Sequence, residues 1–350
     1  MQHNILLTGA SGYLGGSLLA EWSSAKLPPH GKLYALIRSD VQAAAVQKLG
    51  AEAIWLDTSN AESVRQCIVE HQITVVLWLI NALRSEGQLA LIHALAEVKR
   101  ATGRDVYLIH TSGAKLFSSH AGAPTDGPLL DSAADLYDIQ KAQAIATNNA
   151  VIEVGDAEDV GTYIFVPPIV YGKGKGFGNT ISIQTTAIVR AARAQRRVHS
   201  VDEGRPTWPV CHIDDNTSLY LQLVRRILDG SQPPSGKNGY YLAASGSVVW
   251  EELYAAMAEA LAQRGEVEDS RVERASDDAL AGMAAALGSP KEFVAFQLGG
   301  LCTFTAQQGE HIGWKPSYAA EHILKASDDE VQGILDYLKD AEPPSKSFGT

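Results

Sequence analysis

Ile5-Leu6-Leu7-Thr8-Gly9-Ala10-Ser11-Gly12-Tyr13-Leu14-Gly15 opens the chain as an apolar run that breaks into a glycine-rich turn and then a helix. Such a turn can hold a diphosphate. Gly9 permits the tight bend, Gly12 removes the side chain that would block the phosphates, and Gly15 lets the helix lie close on the strand. Free N–H groups and the dipole at the helix N-terminus favour the anion. The spacing is G-x-x-G-x-x-G, and with 31 glycines in 350 residues the pattern alone is weak. Its place after the first strand, followed by the apolar face Tyr13, Leu14, Leu18, Leu19 and Trp22, makes it a dinucleotide turn. Gly9, Ser11, Gly12, Tyr13, Leu14 and Gly15 are the residues assigned to that cofactor.

Outward from the turn, hydrophobic periodicity predicts strands at 5–7, 32–37, 53–56, 75–79, 106–110 and 162–166. Helices are expected from Tyr13 and over 41–49, 61–71, 89–102 and about 132–155. Buried strands separated by helices mean a parallel sheet covered on both faces, an α/β fold. The rhythm then changes. A glycine-rich stretch at 173–178 reads as a mobile loop over the site or as a linker, and 181–193 as a helix. A strand at 210–213, a helix at 216–228, a strand at 240–243 and further helices follow. The expected division is a dinucleotide-binding domain over 1–171 plus about 209–230. A substrate region takes about 172–208 plus 231–340, and 341–350 is a flexible tail.

A net charge of −11 argues against a nucleic-acid partner, which needs a basic surface. Arg190, Arg193, Arg196 and Arg197 read as one solvated helix face, with attraction of an anionic substrate as the alternative. Cys67, Cys211 and Cys302 suit a reducing compartment and fit no metal pattern, so no metal is expected. Met1 to Asn4 lead straight into the first strand and do not resemble a signal peptide, so none is expected. The longest apolar runs, such as 74–80, are strand-length, so no membrane span is expected. These features predict a cytoplasmic protein.

Tyr137-Asp138-Ile139-Gln140-Lys141 sets a phenol and an ammonium one helical turn apart. Tyrosine, with a free pKa of about 10, is a weak acid at neutral pH unless its anion is stabilised, which a lysine one turn away can do. The pattern gains meaning from the dinucleotide turn and from Thr111-Ser112-Gly113, just past the strand at 106–110. Strand ends line the ligand crevice of an open parallel sheet, so a hydroxyl there can polarise a carbonyl. His110 reads as a packed strand-end residue, and His212 with Asp214 and Asp215 as loop structure rather than a metal site.

With these motifs the sequence resembles the extended short-chain dehydrogenase/reductase superfamily, the NAD-dependent epimerase/dehydratase and dihydroflavonol-reductase-like branch. The resemblance extends through Val166-Pro167-Pro168-Ile169-Val170-Tyr171-Gly172, Val210-Cys211-His212-Ile213-Asp214-Asp215 and Gly313-Trp314-Lys315-Pro316. It implies a Rossmann-type doubly wound sheet with a smaller mixed α/β C-terminal substrate domain, and a homodimer. It further implies Tyr137 as acid/base, Lys141 as its partner and ribose ligand, and Ser112, or Thr111 before it, as the carbonyl donor. Asn81, Pro167 and Val170 join the implied cofactor contacts, and Asp57 with Thr58 would meet the adenine. The alternative for Asp57 is the N-cap region of the next helix.

Three departures bear on the substrate. Ile169 stands where sugar-nucleotide relatives commonly carry asparagine, and Gly113 where the last hydroxyl of the cluster usually sits. Trp78-Leu79-Ile80-Asn81 would crowd the wall near the nicotinamide. Together they point to a small or aromatic non-sugar carbonyl compound. The second strand ends in Arg38-Ser39, a guanidinium and a hydroxyl suited to a 2′-phosphate, so NADP is expected over NAD. A salt bridge from Asp40 to Arg38 would weaken that reading. The expected activity is reduction of a ketone, aldehyde or conjugated carbonyl. Its rivals are an NAD-retaining epimerase or dehydratase and a non-catalytic NADP-sensing regulator.

Overall fold

The computed structural model describes residues 2–341, and its first half follows the predicted alternation. The elements there are β1 (Asn4–Leu7), α1 (Tyr13–Glu21), β2 (Leu33–Ile37), α2 (Asp40–Lys48), β3 (Glu52–Trp55), α3 (Ala61–Glu70), β4 (Ile73–Trp78), α4 (Glu86–Thr102) and β5 (Tyr107–Thr111). Next come β6 (Leu129–Leu130), α5 (Leu136–Ala142), α6 (Ala146–Ala157), β7 (Gly161–Val166), β8 (Ile169–Tyr171), α7 (Ile183–Gln195), β9 (Val198–Ser200), β10 (Thr207–His212) and α8 (Ile213–Leu228). The remainder is β11 (Tyr240–Leu242), β12 (Ser247–Val249), α9 (Trp250–Gln263), β13 (Val272–Arg274), α10 (Asp277–Leu287), α11 (Phe293–Leu298), β14 (Phe304–Thr305), α12 (Gln308–His311), α13 (His322–Lys325) and α14 (Ser327–Ala341).

Seven strands form one parallel sheet in the order β11-β7-β5-β4-β1-β2-β3. The order reverses at β1, where a crevice opens beyond the strand ends. The two-residue period of the strands divides the core. Ile5, Leu7, Val75, Leu77, Ile109 and Phe165 face one side, with Leu18 and Leu19 of α1 and Leu219 and Tyr220 of α8. Leu6, Val76, Leu108, Ile164 and Val166 face the other, with residues of α3, α4 and α6. This is the Rossmann-type doubly wound arrangement. Among the described residues, no helix is long and apolar enough to cross a membrane.

Three expectations change. The helix expected over 132–155 is two helices, because Ala144 takes a left-handed conformation (φ 55°). Gln140 anchors the break: its carbonyl accepts from Ile145 N and Asn149 Nδ2, and its side chain pairs with Asn148. The division of the chain also shifts, since β11, expected in the substrate region, completes the main sheet beside β7. Conversely β10, expected with the dinucleotide domain, joins β8 and β12 in a separate sheet. The tail at 341–350 lies, beyond its first residue, outside the described residues.

Candidate active site

β1 delivers its last residues to a turn locked from both sides. Thr8 Oγ1 donates to Leu77 O (3.2 Å) and accepts from Leu79 N (2.8 Å), pinning the turn to the end of β4. Gly9 has φ +72°, and a Cβ there would come within 3.0 Å of Leu79 O. A Cβ on Gly15 would run into the Gly9 carbonyl, so the close approach of α1 to the turn requires glycine. Gly12 caps α1 with extended backbone and no side-chain bond, leaving the first-turn N–H groups for a ligand. Beside them lies a cleft of about 390 Å³ between the turn and Leu79 on one side and Pro167, Val170 and Ser182 on the other.

The remaining expected cofactor residues take different parts. Leu14 lines the cleft, but Tyr13 turns its ring into a small core with Val170 and Ile213 and donates to Gly172 O (2.6 Å). Tyr13 can therefore meet a diphosphate only through its backbone. Ser11 Oγ accepts from Gln42 Nε2 (3.2 Å), and Gln42 Oε1 accepts from Arg38 N (2.8 Å). Gln42 thus ties the glycine turn to the end of β2, a bridge that sequence reasoning missed. The Arg38 side chain is exposed and makes no ion pair among the described residues, so the Asp40 bridge that would have weakened the NADP reading is not formed there. Ser39 caps α2.

Asp57 is not the cap of α3, which is Asn60. Asp57 accepts from Ser59 N and Oγ, and those two bonds hold its carboxyl below the usual range. Thr58 lies half-buried beside it. Asn81 organises the loop after β4, its side chain accepting from Leu83 N and Arg84 N and its carbonyl from Trp78 Nε1. Trp78 packs beneath Gly87, so it does not crowd the cleft as expected; Leu79 forms that wall. Ile169 faces the main core, and the apolar lining comes from Leu14, Leu79, Pro167, Pro168 and Val170 instead.

The glycine-rich 173–178 stretch is docked on α1. Asn179 N donates to Ser11 O (2.9 Å) and Lys175 N to Ser17 Oγ (3.1 Å), while Lys175 Nζ bridges Glu21 (3.0 Å) and Asp214 (2.8 Å).

At the end of β5 the two hydroxyls separate. Thr111 Oγ1 pairs with Tyr220 OH at 2.7 Å on the α8 side. Ser112 Oγ, on a residue only 6 % exposed, has no hydrogen-bond partner. A buried hydroxyl left unpaired is costly; Ser112 shares that condition with Thr162, Thr186 and Tyr240, and it does not line the cleft. His110 is packed as expected, with burial pushing its imidazole down to about 4.

Tyr137 and Lys141 do meet, at 3.4 Å, but around a third group. Tyr137 OH donates to Glu153 Oε1 (2.7 Å), and Lys141 Nζ binds the same oxygen (2.8 Å). Glu153 pushes the Tyr137 phenol above its ordinary value, outweighing the pull of Lys141. This reverses the expected direction. Neither residue lines the cleft at the glycine turn. α5, which carries both residues, is a separate short helix packed against α6 and the turn at Gly236–Asn238.

The fold finds its counterpart in known proteins. The model of the NAD dependent epimerase/dehydratase family matches residues 5–235. The chain belongs to that family. The protein is thereby an oxidoreductase-type member of the extended short-chain dehydrogenase/reductase superfamily, whose solved neighbours include complexes with NAD. A curated relative, oxidase ucsJ of Acremonium sp, is 25 % identical over 299 residues, covering 78 % of this chain and 83 % of that protein. Among solved structures, UDP-glucose 4-epimerase of Thermotoga maritima, with UDP-glucose, superposes with a TM-score of 0.62 at 13 % identity, covering 95 % of this chain and 99 % of that one. A dTDP-glucose 4,6-dehydratase of Streptomyces venezuelae, with NAD bound, gives 0.65 at 11 % identity, covering 97 % and 99 %.

Proposed function

We propose that the protein is an NADP-dependent reductase of a small, non-sugar ketone, aldehyde or conjugated carbonyl compound. The observation that carries the reading is the strand–turn–helix cleft whose glycines admit a diphosphate; the buried, unpartnered Ser112 hydroxyl just past β5 does not line that cleft but stands two residues before Ala114, whose N–H donates to Pro167 O on its wall. Gly9, Gly12, Leu14 and Gly15 would hold the dinucleotide, with Pro167 and Val170 on the facing wall. Arg38 and Ser39 would take a 2′-phosphate. When bound, the dinucleotide supplies a hydride. Ser112 donates a hydrogen bond to the carbonyl oxygen and stabilises the charge that develops there. The apolar walls exclude water from the reacting atoms.

In this reading α5 must move to bring Tyr137 and Lys141 to the cleft, which neither lines here; Tyr137 then exchanges Glu153 for the substrate oxygen and donates the proton, while Lys141 biases the phenol and meets the ribose. Glu153 is then the group that holds the pair between turnovers.

The test is oxidation of NADPH with a panel of carbonyl compounds, followed by nicotinamide absorbance. Arg38→Ala should weaken NADPH binding at least about tenfold more than NADH binding. Equal losses would sink the phosphate assignment. Tyr137→Phe should lower turnover by about 10²–10⁴-fold, and unchanged turnover would remove Tyr137 from the reaction. NAD that copurifies and resists displacement would favour the epimerase-type rival.

A further inference from the structure

A second cavity, about 530 Å³, adjoins the cofactor cleft and shares Asn179, Ser182, Ile183 and Gln184 with it. Two cationic side chains line it, Lys115 and Arg190, and among the described residues no Asp or Glu does. In a chain of net charge −11 that is a local reversal of sign. Lys115 sits in the short 3-10 turn Ala114–Phe117, three residues past Ser112. Its ammonium donates to the carbonyls of Phe296 and Gln297 and lies 4.6 Å from the Trp208 ring centre and 5.2 Å from that of Phe296. An ammonium has three donors, so one is left for a ligand.

Arg190 is the odd member of its basic cluster. Arg193 pairs with Glu266, Arg197 with Glu268, Asp269 and Glu273, and Arg196 with the carbonyls of Gly265 and Glu266. Arg190 makes no ion pair and no side-chain hydrogen bond among the described residues. The expected single helix face does not hold, because α7 ends at Gln195: Arg196 is its left-handed C-cap, Arg197 lies beyond it with its side chain mostly covered, and of the two on the helix Arg193 is paired while Arg190 lines the cavity. Burial also pushes the Lys115 ammonium down to about 7, against the pull of Asp202. A ligand anion beside it would relieve that penalty.

We propose that the substrate is an anionic carbonyl compound, its carboxylate held between Lys115 and Arg190 and its carbonyl turned toward the cofactor cleft across the shared wall of Asn179, Ser182 and Gln184. The remaining lining, with Ile181, Ala187 and Leu287 among the amides, suits an apolar body attached to one carboxylate. The start of α7 at Ser182–Gln184, which has no side-chain cap, adds first-turn N–H groups to the same wall. The proposal names a substrate class for the function proposed above and rests on it, so the experiment reads binding without turnover.

Phenylglyoxylate, its methyl ester and phenyl phosphate are titrated into the full chain with NADP present, by calorimetry and tryptophan fluorescence, Trp208 being adjacent. Phenylglyoxylate should bind at least about tenfold more tightly than the ester. Lys115→Met and Arg190→Gln should each remove most of that preference while leaving NADP binding intact. Arg190 is exposed, so its variant keeps the test decisive if Lys115→Met fails to fold. Equal binding of acid and ester, binding of neither at about 10 mM, or tighter binding of phenyl phosphate would overturn the proposal. Acid-selective binding without any NADPH oxidation would instead count against the reductase and leave the anion site standing.

Discussion

Thr111 and Ser112 are neighbours in sequence that point to opposite faces of one strand end, and this is why their roles were undecidable from the chain alone. The partner that occupies Thr111 is Tyr220, over a hundred positions away. Thr111→Val should cost about 1 kcal/mol of stability in urea unfolding, the worth of one buried hydrogen bond, with little change in turnover. Ser112→Ala should do the reverse, lowering turnover by about 10²-fold with stability unchanged or slightly raised. Equal effects of both on turnover would contradict the assignment. Lys115 adds a pH signature. Its folded pKa is about 7 against 10.5 for the free side chain. Between those values the unfolded chain holds a proton that the folded chain lacks, so stability contributed by this site rises with pH. The stability of the wild type minus that of Lys115→Met should therefore climb from about pH 7 to about pH 10. A flat difference would mean the ammonium stays protonated in the fold.

At the scale of elements, the repeating strand–turn–helix units were readable because their signal is local. Leu6 and Leu7 fall to opposite sides of the sheet, as period-two alternation requires, and Asn60 and Ser39 cap the helices that follow their turns. The break between α5 and α6 was not readable, since Ala144 is a good helix former in a helix-compatible run. It is fixed by Gln140, Asn148 and Asn149, whose mutual bonds compete with the helix. The break reverses the sign of a simple substitution. In a continuous helix Ala144→Gly would cost about 1 kcal/mol. At a left-handed position it should stabilise by about 0.5–1 kcal/mol in thermal or urea unfolding. Destabilisation would restore the single helix.

At the scale of the whole molecule, the parallel architecture and the dinucleotide cleft follow from the first half of the chain, whereas the second half is joined by contacts no local pattern announces. Asp131 is the clearest case. One oxygen accepts from Leu242 N in β11, the other from Gln307 N and Gln308 N, so a single buried carboxylate ties the last sheet strand to a segment near the C-terminus. Glu330 does similar service from α14, accepting from Gly172 N and Thr185 Oγ1 at the start of the loop and of α7. Lys115 was missed for the same reason: Phe296, Gln297 and Trp208 reach it only through the tertiary fold.

The position of β11 has a consequence for how the chain assembles. Translation reaches Tyr240 only after β7 through α8 have emerged, so β7 waits as a bare sheet edge with its hydrogen-bonding groups unpaired. Such an edge is a template for pairing with other chains. A polypeptide ending at residue 235, where the family match ends, should aggregate on refolding, as read by light scattering. One extended through the β11 strand should scatter less, and refold along a slow phase set by that late, distant pairing.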